Sequence, residues 1–210
     1  MSATPPEIVI VRTGCANLAS VAAAFARLGV PTRLSDRPDE IVAATGVVLP
    51  GVGNFGPAMT LLRERGLDVA ILERTRRDRA LLAICLGMQM LCDDSEESPG
   101  VPGLGVIRGR VCRFAPGLRV PQMGWSRIVP TESSLMLEPA SVYFANSFRL
   151  GTIPQGWGGA IGEYGGPFAA AIERGPLLAC QFHPELSGGA GLRLLKRWVV
   201  TAVCGEALPC

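Results

Sequence analysis

Leu81-Leu82-Ala83-Ile84-Cys85-Leu86-Gly87-Met88-Gln89-Met90-Leu91 is an apolar run that reaches a cysteine between small Ala83 and Gly87 and then continues at helical spacing. Such a run predicts a buried strand turning sharply into a helix, because small neighbours leave room for a backbone that larger side chains would block. Working outward, residues 67–77 have helical spacing and lead into this strand. Before them, Val47-Val48-Leu49 predicts a second strand, Pro50-Gly51-Val52-Gly53 a glycine loop, and Met59, Leu61 and Leu62 the next helix. Residues 7–12 read as an opening strand, followed by Leu18, Val21, Ala22, Phe25 and Leu28 at helical spacing until Gly29 stops the helix. Strands alternating with helices predict an α/β fold with an open, mostly parallel sheet and helices on both faces.

After Ser95-Glu96-Glu97-Ser98-Pro99-Gly100 the texture changes to short β-like runs at 105–114, 125–129, 142–150, 160–163, 168–173 and 177–182. These predict an antiparallel β extension, closed by a helix at 189–204 with Leu192, Leu195, Val199 and Val203 on one face. No repeat, low-complexity tract or linker divides the chain, so residues 1–210 read as one domain.

Composition bounds the function. Hydrophobic residues make up 48% and charged residues 18%, enough to bury a core and unlike a disordered chain. With 20 basic residues against 18 acidic, the formal charge of +2 is far from the field that nucleic-acid binding needs, and no such partner is expected. Mean hydropathy is +0.31, yet Arg, Asp or Glu interrupts every apolar stretch well before the roughly 20 residues a bilayer requires. No membrane span is expected. The stretch Met1–Glu7 lacks the basic start and apolar run of a secretory signal, so a cytoplasmic location is expected. Seven cysteines, with no Cys-x-x-Cys pair, predict neither a disulfide framework nor a metal site, and most thiols are expected to be reduced and packed.

His183 is the only histidine, in Ala179-Cys180-Gln181-Phe182-His183-Pro184-Glu185. Pro184 ends the apolar strand, which puts His183 at a strand end, where active groups of open α/β sheets gather. Strand alternation sets Cys180 and Phe182 opposite Gln181 and His183, which disfavours a metal pair of Cys180 with His183. The bland reading is a histidine satisfied by the backbone. For Cys85 the bland reading is a packed core thiol, since Cys is among the most buried residues. Against it stands the elbow, where the N-terminus of the following helix faces the side chain and favours a thiolate. Gly51 and Gly53 let a backbone turn tightly and present N–H groups as an oxyanion hole, while the spacing fits neither common phosphate-loop pattern. Glu185 is two residues from His183 and can orient the imidazole. A strand-end cysteine, a strand-end histidine with a nearby carboxylate, and a glycine loop describe cysteine-nucleophile acyl transfer.

Pro50-Gly51-Val52-Gly53, Cys85-Leu86-Gly87-Met88-Gln89 and Gln181-Phe182-His183-Pro184-Glu185, in this order, resemble the class I glutamine amidotransferases, a flavodoxin-like family. Within that family Leu49–Gly56, Ser95-Glu96-Glu97, Met123-Gly124-Trp125, Tyr143-Phe144, Leu28-Gly29 and Asn17-Leu18-x-Ser20-Val21 are similar to the glutaminase subunits of imidazole glycerol phosphate synthase. The resemblance implies that Cys85 attacks the side-chain amide of glutamine, that His183 gives the leaving ammonia its proton, and that Glu185 orients His183. It implies oxyanion donors at Leu86 and in Gly51, Val52 and Gly53, and a substrate contact from Gln89. It further implies no cofactor, and ammonia passing to a (β/α)₈ cyclase partner in a heterodimer that serves histidine biosynthesis. Asn17, Met123, Trp125 and Tyr143 fall on that family's contact side.

Several positions depart from the family pattern. Gln122 and Asn146 stand where His is common, Ser126 where Asn is common, Phe148 where Tyr is common, and Leu186 where a basic residue is frequent. These departures are expected at the partner contact. Arg12-Thr13-Gly14-Cys15 replaces an acidic-aromatic-Gly opening. Another amidotransferase subunit with a different acceptor, a stand-alone cysteine hydrolase and a non-catalytic regulatory subunit are the rival readings.

Overall fold

The computed structural model describes residues 7–14 and 17–206. The reading of the first six residues, Cys15 and Cys210 fall outside them. The elements in chain order are β1 Ile8–Val11, α1 Leu18–Arg27, β2 Thr32–Ser35, α2 Pro38–Ala43, β3 Gly46–Gly51, α3 Phe55–Glu64, α4 Leu67–Arg76, β4 Ala80–Cys85 and α5 Leu86–Met90. They continue as β5 Asp94–Ser95, β6 Arg110–Arg113, β7 Gln122–Pro130, β8 Ala140–Asn146, β9 Phe148–Leu150, β10 Gly158–Glu163, β11 Pro167–Arg174 and β12 Leu177–Cys180. A 3₁₀ turn, Pro184–Leu186, then leads to α6, Gly188–Trp198, which loosens into a π-helical turn over Val199–Val203.

Nine strands form one sheet in the order β2-β1-β3-β4-β12-β11-β10-β7-β8. The ladders from β2 through β12 are parallel, and those from β12 through β8 are antiparallel. The fully buried strands β1, β3 and β4 are near-continuous apolar runs, as a strand covered on both faces must be. Alternate residues point to opposite layers. Ile8, Ile10, Val48 and Leu82 pack with Phe25 of α1 and Leu195 and Trp198 of α6. Val9, Val11, Val47, Leu49 and Leu81 face Ile41 of α2, Met59 of α3 and Ile71 of α4.

Three features correct the sequence reading. The edge pair β2 and α2 was not expected: β2 is short, polar and half exposed, so it lacks the apolar run that marks a buried strand. Residues 105–109 are loop, and β6 instead joins β5 and β9 in a separate three-stranded sheet. The run 177–182 stops as a strand at Cys180, and that strand is parallel to β4 on one side and antiparallel to β11 on the other. Strand alternation therefore does not extend to His183. Among the described residues no helix is long and apolar enough to cross a membrane.

Candidate active site

Register assembles the site. In the parallel ladders Cys180 pairs with Ile84, and Gly51 pairs with Cys85, so β3, β4 and β12 end side by side at their carboxyl edges. Cys85 closes β4 and directly precedes α5 with φ of 54° and ψ of −110°, a left-handed conformation that costs an L residue free energy and is held only by its surroundings. Two glycines make the turn possible. A Cβ on Gly87 would lie 2.0 Å from the Leu49 carbonyl oxygen, and one on Gly51 would lie 2.9 Å from the Gly87 nitrogen. Gly51 thus stands behind the turn as packing, while Val52 and Gly53 reach the open side.

His183 comes from the loop after β12, three residues beyond the strand pair that adjoins Cys85. Its backbone N–H donates to the Tyr143 carbonyl at 2.9 Å, and its own carbonyl accepts from the Ser187 hydroxyl at 2.6 Å. The ring Nδ1 lies 2.8 Å from Glu185 Oε1, and both side chains are buried, 8% and 3% exposed. Nε2 is left for Cys85. Burial opposes a charged imidazole here, but hydrogen bonds to Cys85 and Glu185 and the negative charge of those groups outweigh it, and the His183 pKa is pushed up to about 10. The imidazole therefore carries a proton at neutral pH, held between Cys85 and a buried carboxylate.

These side chains open on a cleft of about 340 Å³, within the usual range for small-molecule sites of roughly 300–1,000 Å³. Val52, Gly53, Asn54, Leu86 and Gln89 line it on one side, and Asn146, Ser147, Phe148 and His183 on another. Cys85, Leu86, Val52, Gly53, Gln89 and His183 are therefore brought together as expected, and Glu185 joins through the imidazole. Two contributors were missed. Glu97, within the Ser95-Glu96-Glu97 stretch, lines the cleft and accepts from the Phe55 N–H at 2.7 Å, capping α3. Gln181 is fully buried and its Nε2 lies 3.7 Å from Cys85 Sγ. A lone amide at the end of an apolar strand was the signal available in the sequence.

The remaining expectations divide. Met123 and Trp125 point outward from β7, 68% and 58% exposed, and Trp125 meets Tyr143 of β8 edge to face at 6.1 Å between ring centroids. Asn17 caps α1, its Oδ1 accepting from the Ser20 N–H. Gln122 and Asn146, expected at the partner contact, are instead buried on the inner side of the β7–β8 hairpin, because each pairs in register with the other on the face opposite Met123. Asn146 serves the cleft and donates to the Phe148 carbonyl at 3.0 Å. Of the five cysteines among the described residues, all are free; Cys85, Cys92 and Cys180 are buried, while Cys204 is exposed.

Comparison with known proteins places this geometry. A family profile described as "Glutamine amidotransferase class-I" matches residues 13–202. The chain is 41% identical over 196 residues to "Imidazole glycerol phosphate synthase subunit HisH" of Symbiobacterium thermophilum, covering 91% of this chain and 92% of that one. It is 41% identical over 208 residues to the protein of the same name from Deinococcus radiodurans, covering 94% and 97%. Among solved structures, one titled "Crystal structure of glutamine amidotransferase" superposes with a TM-score of 0.75 at 22% identity, covering 92% of this chain and 98% of that one, and supports the fold. The chain belongs to the class I glutamine amidotransferase family.

Proposed function

We propose that this chain is the glutaminase subunit of a cytoplasmic imidazole glycerol phosphate synthase, a single amidotransferase domain over residues 1–210. The observation that carries the reading is the strained Cys85 at the start of α5, facing an imidazole whose far side is held by a buried carboxylate. The Cys85 thiolate attacks the carboxamide carbon of glutamine, and the carbonyl π electrons move onto oxygen. Backbone N–H groups of Leu86 and of the Val52–Gly53 loop are the oxyanion donors, each worth about 3 kcal/mol in such a site. His183 Nε2 gives its proton to the departing nitrogen, and the C–N bond breaks to leave ammonia and a γ-glutamyl thioester on Cys85. The now neutral His183 takes a proton from water, whose oxygen attacks the thioester. Glutamate leaves and the thiolate–imidazolium pair is restored. Glu185 keeps the ring aimed throughout.

The ammonia passes to a (β/α)₈ cyclase partner, which makes imidazole glycerol phosphate and an aminoimidazole carboxamide ribotide. Met123, Trp125 and Tyr143 present an apolar face for that partner, and Asn17 belongs to the same side. Tyr143 also bonds to the His183 backbone, so contact on this face bears directly on the imidazole. The test is Cys85→Ala. Glutamine hydrolysis is expected to vanish while the complex with the cyclase still turns over added ammonium salt. Residual glutaminase activity in that variant would overturn the reading.

A further inference from the structure

A chain of amides behind the cleft has only one arrangement in which no donor faces a donor and no acceptor faces an acceptor. It starts at the Phe148 carbonyl, which can only accept. Gln89 approaches it at 3.1 Å, so that end of the Gln89 carboxamide is the NH₂ group. The same nitrogen lies 2.9 Å from Gln181, whose facing atom must therefore be its oxygen. The Gln181 NH₂ is then turned to Cys85 Sγ at 3.7 Å. Gln181 is fully buried, where an unmatched amide end costs roughly 1–3 kcal/mol, so the arrangement is locked. Both hydrogens of Gln89 are spent on protein, and among the described residues its oxygen takes no protein donor and is left for the cleft.

We propose that Gln181 is a positioning residue for the reaction: its Nε2 donates to the Cys85 sulfur, and its Oε1 fixes the Gln89 carboxamide with the oxygen toward the substrate. The first action holds the thiolate from behind while His183 holds it in front. The second makes Gln89 an acceptor, so the cleft meets an N–H donor of the substrate and repels a carboxylate in the same place. The substrate half rests on the glutaminase reading, whereas the sulfur half does not.

Two full-length variants separate these roles. Gln181→Glu keeps the shape and the acceptor toward Gln89 but turns an oxygen on the sulfur. Gln181→Met keeps the bulk and removes both polar ends. In each, alkylation of Cys85 by iodoacetamide at neutral pH, read on the Cys85 peptide by mass spectrometry, is expected to slow about tenfold, as for loss of a bond to a charged group. The ultraviolet thiolate absorbance lost on that alkylation is expected to fall with it. Gln181→Met is further expected to raise the KM for glutamine, with a smaller rise in Gln181→Glu. Unchanged alkylation in either variant, with thermal unfolding still cooperative, would overturn the sulfur contact whether or not glutamine is the substrate. A slowed alkylation with KM unchanged in Gln181→Met would overturn the role toward Gln89. Should Gln181→Glu not fold, Gln181→Met decides both; should Gln181→Met not fold, Gln181→Glu decides the sulfur contact and Gln181→Leu takes its place for the role toward Gln89.

Discussion

Cys85 and Glu185 control the charge of His183, and the single histidine makes this measurable without assignment. The ring is buried, which alone would favour the neutral form, yet it is held protonated by Cys85 and Glu185, with a pKa of about 10 against an ordinary 6.5. A histidine raised in this way contributes stability that is fully present below pH 6.5 and is lost as pH rises through about 10. We therefore expect the imidazole NMR signal to stay in its protonated position through pH 8. Cys85→Ala, which removes two of the raising contributions, is expected to bring the transition down. A transition near pH 6.5 in the unmodified chain would show that the imidazole is not held protonated by these neighbours. The Cys85 elbow and the place of His183 beside it were legible because each rests on a local pattern: small residues about a cysteine, and an apolar run followed by a proline, although the strand itself stops at Cys180. Gln181 was not, because its partners come from 92 and 96 residues away in the chain.

At the scale of the elements, the site depends on how tightly α5 lies against β3. Gly87→Ala would drive a Cβ into the Leu49 carbonyl oxygen, and the backbone must move to admit it. We expect a loss of about 1–3 kcal/mol in denaturant unfolding and a larger proportional loss of glutaminase activity, since the displaced turn carries the nucleophile. Arg74 of α4 is a second such joint. It is fully buried and donates to the carbonyls of Ile41, Ala44 and Ala80, tying the end of α2 and the start of β4 together with no carboxylate partner among the described residues. Burial, then the charge of Arg79, holds its pKa down at about 10, and it remains charged at neutral pH. Arg74→Met would leave those carbonyls without their donor, and we expect a loss of about 2–4 kcal/mol, read by denaturant midpoint, with KM for glutamine unchanged. The sequence pattern led to β1, β3, β4 and their helices because buried parallel strands are continuous apolar runs. It missed β2 because an edge strand with Arg33 and Ser35 has no such run, and it misread 105–109 because Ile107 is buried, and Val106 partly so, by tertiary packing without a ladder. The final helix was extended past Trp198 for a related reason: Val199 and Val203 keep an apolar face while the backbone changes to a wider turn.

The whole molecule has a parallel half that carries the nucleophile and an antiparallel half that brings the histidine loop and an exposed apolar face to the same side. The two meet at β12, which pairs with β4 in one direction and β11 in the other. The face formed by Met123, Trp125 and Tyr143 is the one we assign to the cyclase. Trp125→Ala is expected to leave the unfolding of the isolated chain nearly unchanged, since the side chain is 58% exposed, and to weaken the complex by about 2 kcal/mol in titration calorimetry. Equal affinity would move the partner to another face. The departures at Gln122 and Asn146 do not bear on that surface, because strand alternation turns both inward. The most direct test is glutamate release from glutamine by the purified chain, alone and with the (β/α)₈ cyclase subunit carrying its ribonucleotide ligand. Slow release alone and strong stimulation by the loaded partner are predicted. No release in either state, or full turnover that the partner leaves unchanged, would contradict a glutaminase coupled through this face.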